Sequence, residues 1–170
     1  MNWTINPASK DDCEHLALIG AATFLETFAG VLAGEDIVTH CQREHSSAAY
    51  ALQFEKGAVA WLAQLQPGAA PVGFALMAPA DLPGMCEGDV ELKRIYTLSR
   101  FHGTGLGAEL MKQVVVAAQS NGARQLLLGV YAENHRAIAF YRKKGFKPID
   151  TRKFNVGGTD YDDVVLARDL

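Results

Sequence analysis

The stretch Arg100-Phe-His102-Gly103-Thr104-Gly105-Leu106-Gly107 separates an extended pattern from a helical one, and no other segment restricts the fold as much. Ahead of it, residues 89–98 (DVELKRIYTL) predict a strand. Behind it, Leu106, Leu110, Val114 and Ala118 recur at a spacing of four, in a helix opening at Gly103 and ended by Asn121-Gly122. Residues 125–131 (QLLLGVY) then predict a mostly apolar strand, suited to burial on both faces and parallel to the strand before the helix. Parallel strands joined through a crossover helix belong to layered α/β architectures. The glycines let backbone N–H groups approach a phosphate without Cβ obstruction, at a helix end that favours negative charge. Arg100 and His102 would add to the hold on a diphosphate.

Around this unit, residues 2–7 predict a strand, and Ser9 caps a helix running to about Phe28 with Asp11 and Asp12 in its first turn. A second helix is expected from Gly34 to Phe54. Residues 58–65 and 71–78 read as strands joined through Gln66-Pro67-Gly68, and 79–88 is a loop full of breakers. Asn134 caps a helix that stops at Gly145, and final strands over about 146–156 and 161–168 turn at Gly157-Gly158-Thr159. The expectation is one mixed-sheet α/β domain over residues 1–170, in the order β-α-α-β-β-β-α-β-α-β-β.

Several function classes fit poorly. A net charge of −3 argues against a nucleic-acid binder, and its distribution is uneven: residues 1–57 net −5 and residues 58–170 net +2. Leu16 to Gly34 approaches membrane-spanning length, but Glu26 sits at its middle, where a charge costs about 3 kcal/mol on insertion scales. A buried helix is expected there instead. Three cysteines (Cys13, Cys41, Cys86) without a C-x-x-C, and an amino terminus without a signal peptide, point to reducing cytosol. Cys41 and His45 share a helical face, but two ligands do not make a zinc site, so no metal is expected. Gly103-x-Gly105-x-x-Ala108 fits a dinucleotide fingerprint, yet only one strand-helix-strand unit is visible and Glu133 comes late for the ribose contact.

Arg100-x-x-Gly103-x-Gly105 resembles the R/Q-x-x-G-x-G/A signature of the GNAT superfamily of N-acetyltransferases, and His102-x-x-Gly105-x-Gly107 nearly fits in an overlapping register. Asn134-x-x-Ala137-x-x-Phe140-Tyr141-x-x-x-Gly145-Phe146 resembles that family's distal segment. Glu91 to Leu98 and Thr23 to Phe28 show a weaker likeness to bacterial polyamine acetyltransferases. The resemblance implies acetyl-CoA as cosubstrate, held by Arg100, His102, Gly103, Thr104, Gly105, Leu106, Gly107, Asn134 and Tyr141. Its pantetheine arm would lie as a pseudo-strand along Ile95, Tyr96, Thr97 and Leu98, where a backbone N–H would serve as oxyanion donor. A small-molecule or peptide amine would be the acceptor and a homodimer the assembly. A CoA-binding sensor without turnover is the alternative.

In that chemistry an amine attacks the thioester directly, and the departing thiolate needs a proton. Asn134 and Tyr141 fall on one helix face, so Tyr141 is the expected acid beside the cofactor. A base must take the amine's proton: Glu91 is the first candidate and Glu26 the second. The acidic amino-terminal third suggests a cationic acceptor such as a polyamine.

Overall fold

The computed structural model describes residues 2–170, in which seven strands form one mixed sheet. The strands are β1 (Trp3–Ala8), β2 (Val59–Leu65), β3 (Ala70–Pro79), β4 (Val90–Thr97), β5 (Gln125–Tyr131), β6 (Lys147–Val156) and β7 (Thr159–Asp169). Their spatial order is β1-β2-β3-β4-β5-β7-β6, and every neighbouring pair is antiparallel except β4 with β5. The helices are α1 (Cys13–Phe28), α2 (Gly34–Glu44), α3 (Ser47–Glu55), α4 (Leu106–Ser120) and α5 (His135–Lys143).

Side-chain alternation in the central strands assigns the helices to two layers. Ala75 and Met77 of β3 join Leu126 and Leu128 of β5 beneath Leu110 and Val114 of α4, with Ile138 and Phe140 of α5 packed alongside. Phe74 and Leu76 point the other way and meet Leu16 and Ile19 of α1 and Tyr50 of α3. Each such fully buried large side chain stabilises the fold by about 1.5–3 kcal/mol relative to leaving it in water. No helix of the described residues is long and apolar enough to cross a membrane. The apolar run from Leu16 instead becomes α1, packed on the sheet.

Two boundaries differ from expectation for identifiable reasons. The helix expected over Gly34–Phe54 breaks into α2 and α3, adding one helix to the order. There Ser46 turns its hydroxyl to the Ala49 N–H (3.2 Å), and His45 turns inward with its Nδ1 2.9 Å from the Tyr50 hydroxyl oxygen. A cap inside a helical pattern starts a new helix. At the glycine loop, Gly103 (φ 78°) and Gly105 (φ 91°) adopt left-handed backbone, so α4 begins at Leu106 instead of Gly103.

One irregularity shapes the functional site. Leu76 pairs with Arg94 but Met77 pairs with Leu92, so Lys93 is an extra residue on β4. Such a bulge bends its strand. β4 contacts β5 only through Val90↔Leu126 and Glu91↔Leu127, and from Leu92 onward the two strands diverge. The extra residue also sends Leu92 and Ile95 to the α4 layer, while Arg94 lies over the Tyr50 ring and Tyr96 stacks near Phe74 on the opposite layer.

Candidate active site

The diverging strands open onto a cavity of about 600 Å³ that passes from the glycine loop to the layer containing α1 and α2. Ile95, Tyr96 and Thr97 line it along the β4 edge, which has no strand partner on that side. An extended ligand chain could therefore take the place of a strand, using backbone groups that the fork leaves free. Leu98 lies just outside the lining and donates its N–H to the Val72 carbonyl (3.0 Å).

At the mouth, Gly105 is the N-cap of α4 and brings no side chain to it. Among the described residues, the N–H groups of Gly103, Gly105, Leu106, Gly107 and Ala108 have no acceptor. Five free amides around a helix N-terminus form an anion cradle. A Cβ built on Gly103 or Gly105 meets nothing within 4 Å, so these glycines are required by backbone conformation and by space for a visitor, not by internal packing. His102, Gly103, Gly105, Gly107 and Ala108 line the cavity. Arg100 instead lies outside, with its guanidinium 5.4 Å from the Phe101 ring centroid, so the register beginning at His102 describes the cradle better. Thr104 donates to the Phe101 carbonyl (2.7 Å), and Leu106 is buried in the core with only its backbone at the cradle.

The cation at the mouth is Arg136, which the sequence reading missed. It sits in the first turn of α5, where the helix dipole disfavours positive charge, and donates to Nδ1 of His102. Burial, and then Arg136, hold His102 below its ordinary pKa. The neutral ring therefore keeps its proton on Nε2, which donates to the Thr97 carbonyl (3.2 Å). A cation at a helix start was a legible signal for an anion nearby. Asn134 also lines the cavity, although its Oδ1 is used to cap α5 through the Ala137 N–H (3.2 Å).

Tyr141 reaches the same cavity from α5, and its hydroxyl has no partner among the described residues. Burial, and then the neighbouring Tyr96, push its pKa up, so the phenol stays protonated and can donate. Tyr96 faces it from the other layer and is itself raised to about 12, chiefly by burial.

The two carboxylates proposed as bases sit differently. Glu91, 4% exposed, lines the cavity near the closed end of the fork. Its Oε2 accepts from the Asp81 N–H (3.2 Å) and Lys93 (3.4 Å), while Oε1 is uncommitted. Glu26 is exposed and outside the lining. Its carboxylate takes both the N–H and the hydroxyl of Ser99, each at 2.7 Å, which holds its pKa below the ordinary value. Glu26 thus ties α1 to the segment that leads into the glycine loop.

Beyond Tyr96 the cavity forms a chamber walled by Phe24, Phe28, Tyr131 and Phe154. Its charges are grouped around arginines. Arg94 reaches Glu44 (3.3 Å), which also holds Arg43 (2.9 Å); the Arg94 Nη1 is buried without a partner. Arg152 reaches Asp163, which is 5% exposed and raised in pKa by burial despite that pairing. Arg94 and Glu44 lie 50 residues apart, and the Arg152–Asp163 pair faces across the β6–β7 hairpin, so none of these residues shows a local motif.

A model of the acetyltransferase (GNAT) family matches residues 21–146. An uncharacterized N-acetyltransferase of Mycobacterium tuberculosis is 36% identical over 159 residues, covering 94% of this chain and 98% of that protein. The PaiA N-acetyltransferase of Thermoplasma acidophilum, solved in complex with coenzyme A, covers 100% of both chains with a TM-score of 0.82 and 20% identity. A GNAT acetyltransferase of Elizabethkingia anophelis, solved with acetyl-CoA bound, covers 99% of each chain with a TM-score of 0.62 and 19% identity. The last two likenesses show the fold.

Proposed function

We propose a primary-amine acceptor for a chain that belongs to the acetyltransferase (GNAT) family and is an acetyl-CoA-dependent N-acetyltransferase. The observation that carries the site assignment is the fork itself, with five free amides at its mouth and the unpartnered Tyr141 hydroxyl inside. The cradle residues from His102 to Ala108, with Arg136, hold the diphosphate, and the free β4 edge from Ile95 takes the pantetheine arm. A backbone N–H of that edge faces the thioester oxygen as oxyanion donor.

The amine nitrogen bonds to the acetyl carbon, the carbon–sulfur bond breaks, and the thiolate takes a proton from Tyr141. The amine's own proton passes to Glu91, directly or through one water. Glu91 is preferred to Glu26 because it lies in the cavity with a free oxygen, whereas both oxygens of Glu26 are committed to Ser99. For a polyamine the chamber gives less support. Glu44 and Asp163 are each paired with arginine, and Asp36 accepts from Tyr161 (3.0 Å). We place the enzyme in the cytoplasm on the strength of its three free thiols, and the homodimer is to be tested by light scattering.

Thiol release from acetyl-CoA across a panel of amines tests the reading. Turnover with at least one amine is expected. Coenzyme A binding with no thiol release from any amine would point instead to a non-catalytic sensor.

A further inference from the structure

Gly129 and Arg152 form a built feature in the chamber floor. A Cβ placed on Gly129 of β5 would lie 2.6 Å from Nη2 and 2.9 Å from Cζ of Arg152, so the guanidinium lies directly across the β5 backbone. Glycine in a strand interior weakens it and marks close approach by another group. Here that group is a charged side chain reaching from β6, across Asp163 of β7, to the diverging part of β5.

The arginine is only half used. Nε and Nη2 both reach Asp163 Oδ2 at 3.1 Å, which engages one edge of the guanidinium. Nη1 has no partner among the described residues, and the side chain lines the cavity. The Nη1–Nη2 end is therefore an open fork whose geometry matches a carboxylate. The chamber also holds Arg43 and Arg94 against Glu44, so its arginines outnumber the carboxylates paired with them. An anion is the complement this surface lacks, and the aromatic walls around it suit an apolar body.

We propose that the acceptor is an amino acid-like molecule: a primary amine that also carries a carboxylate, bound at Arg152, with an apolar or aromatic body against Phe28 and Phe154. This rests on the acetyltransferase reading above and names the substrate class of the same site. Asp163 holds the guanidinium in place, and Gly129 makes room for it.

The test compares matched pairs: L-phenylalanine with 2-phenylethylamine and phenylalaninamide, and L-leucine with 3-methylbutylamine, with spermidine alongside. The acid in each pair is expected to exceed its uncharged-end analogue in kcat/KM by about 10- to 100-fold, as a charge-assisted bidentate contact allows. In Arg152→Gln/Asp163→Asn, which leaves neither charge stranded, that ratio should fall to about one, mainly through KM of the acid. A parallel melting curve checks folding, and Arg152→Lys, with charge but no fork, should fall between. A ratio near or below one in the parent enzyme, a ratio unmoved by the double variant, or spermidine outranking both acids would overturn the proposal. Acetyl-CoA binding by calorimetry without turnover of any pair member would also overturn it, leaving the cofactor site standing. Failure to bind acetyl-CoA at all would bring down the acetyltransferase reading itself.

Discussion

The Arg152 guanidinium occupies the space in which any side chain on Gly129 would begin, with Nη2 2.6 Å from the Cβ position. Gly129→Ala must therefore displace the guanidinium of a half-buried ion pair. The expected cost is about 1–3 kcal/mol, read as a lower denaturation midpoint at constant slope. In the Arg152→Gln/Asp163→Asn background the displaced charge is gone, and most of that cost should vanish. Equal costs in the two backgrounds would mean that the glycine serves the strand and not the arginine.

Tyr141→Phe keeps the ring contacts with Phe140 and Phe146 and removes only the hydroxyl. Single-turnover acetyl transfer should fall by roughly 10²-fold, the lower end for a general acid, because a phenol with a raised pKa is a weak one. Coenzyme A affinity and the melting temperature should change little. Transfer at the parental rate would assign the thiolate's proton to water or another group.

The cradle is best probed at Gly107, since left-handed backbone at Gly105 would strain any side chain. A Cβ on Gly107 meets only the edge of Phe140 at 3.9 Å, an ordinary contact. Gly107→Val should fold normally and bind coenzyme A at least tenfold more weakly, its branches blocking approach to the free amides. Calorimetry with coenzyme A decides this.

Glu91→Gln and Glu26→Gln should separate a base from a clamp. The first should lower the transfer rate by about 10²–10⁴-fold with little effect on coenzyme A binding. The second should weaken coenzyme A binding through the loosened Ser99 contact and leave the shape of the pH–rate profile unchanged. The reverse pattern would exchange their roles.

Burial lowers the pKa of His40 to about 4 and that of His45 to about 3, from an ordinary 6.5. Between those limits the unfolded chain binds protons that the folded chain does not. Stability should therefore be full above about pH 6.5 and fall as the pH drops toward 4. His40 alone contributes roughly 1–3 kcal/mol to that fall. His40→Phe preserves the stacking on Phe24 (4.3 Å) and should flatten the acid side of a plot of melting temperature against pH.

What was legible in the sequence follows from range along the chain. The glycine loop, the α5 cap at Asn134 and the Tyr141 face depend on residues within two helical turns of one another, so spacing reveals them. The break at His45-Ser46 is just as local, signalled by the Ser46 cap, but the apolar spacing that continues into α3 conceals it. Gly129 passed as one glycine in an apolar strand, since the residue that explains it lies on β6 and only the sheet order brings the two together. The aromatic chamber is built across α1, α2, β6 and other strands, so it leaves little periodic signal.

The extra residue at Lys93 makes β4 a strand of fixed count. Leu92 and Ile95, three positions apart, therefore share the α4 face, while Arg94 and Tyr96 lie on the other. Removing Lys93 would pair Arg94 and Leu92 with Leu76 and Met77 as a regular ladder, in which every side chain keeps its present face. What would be lost is the bend that the extra residue puts into β4 where it leaves β5. The opening between β4 and β5 is thus written as an odd count in the backbone, which no side-chain substitution elsewhere can restore.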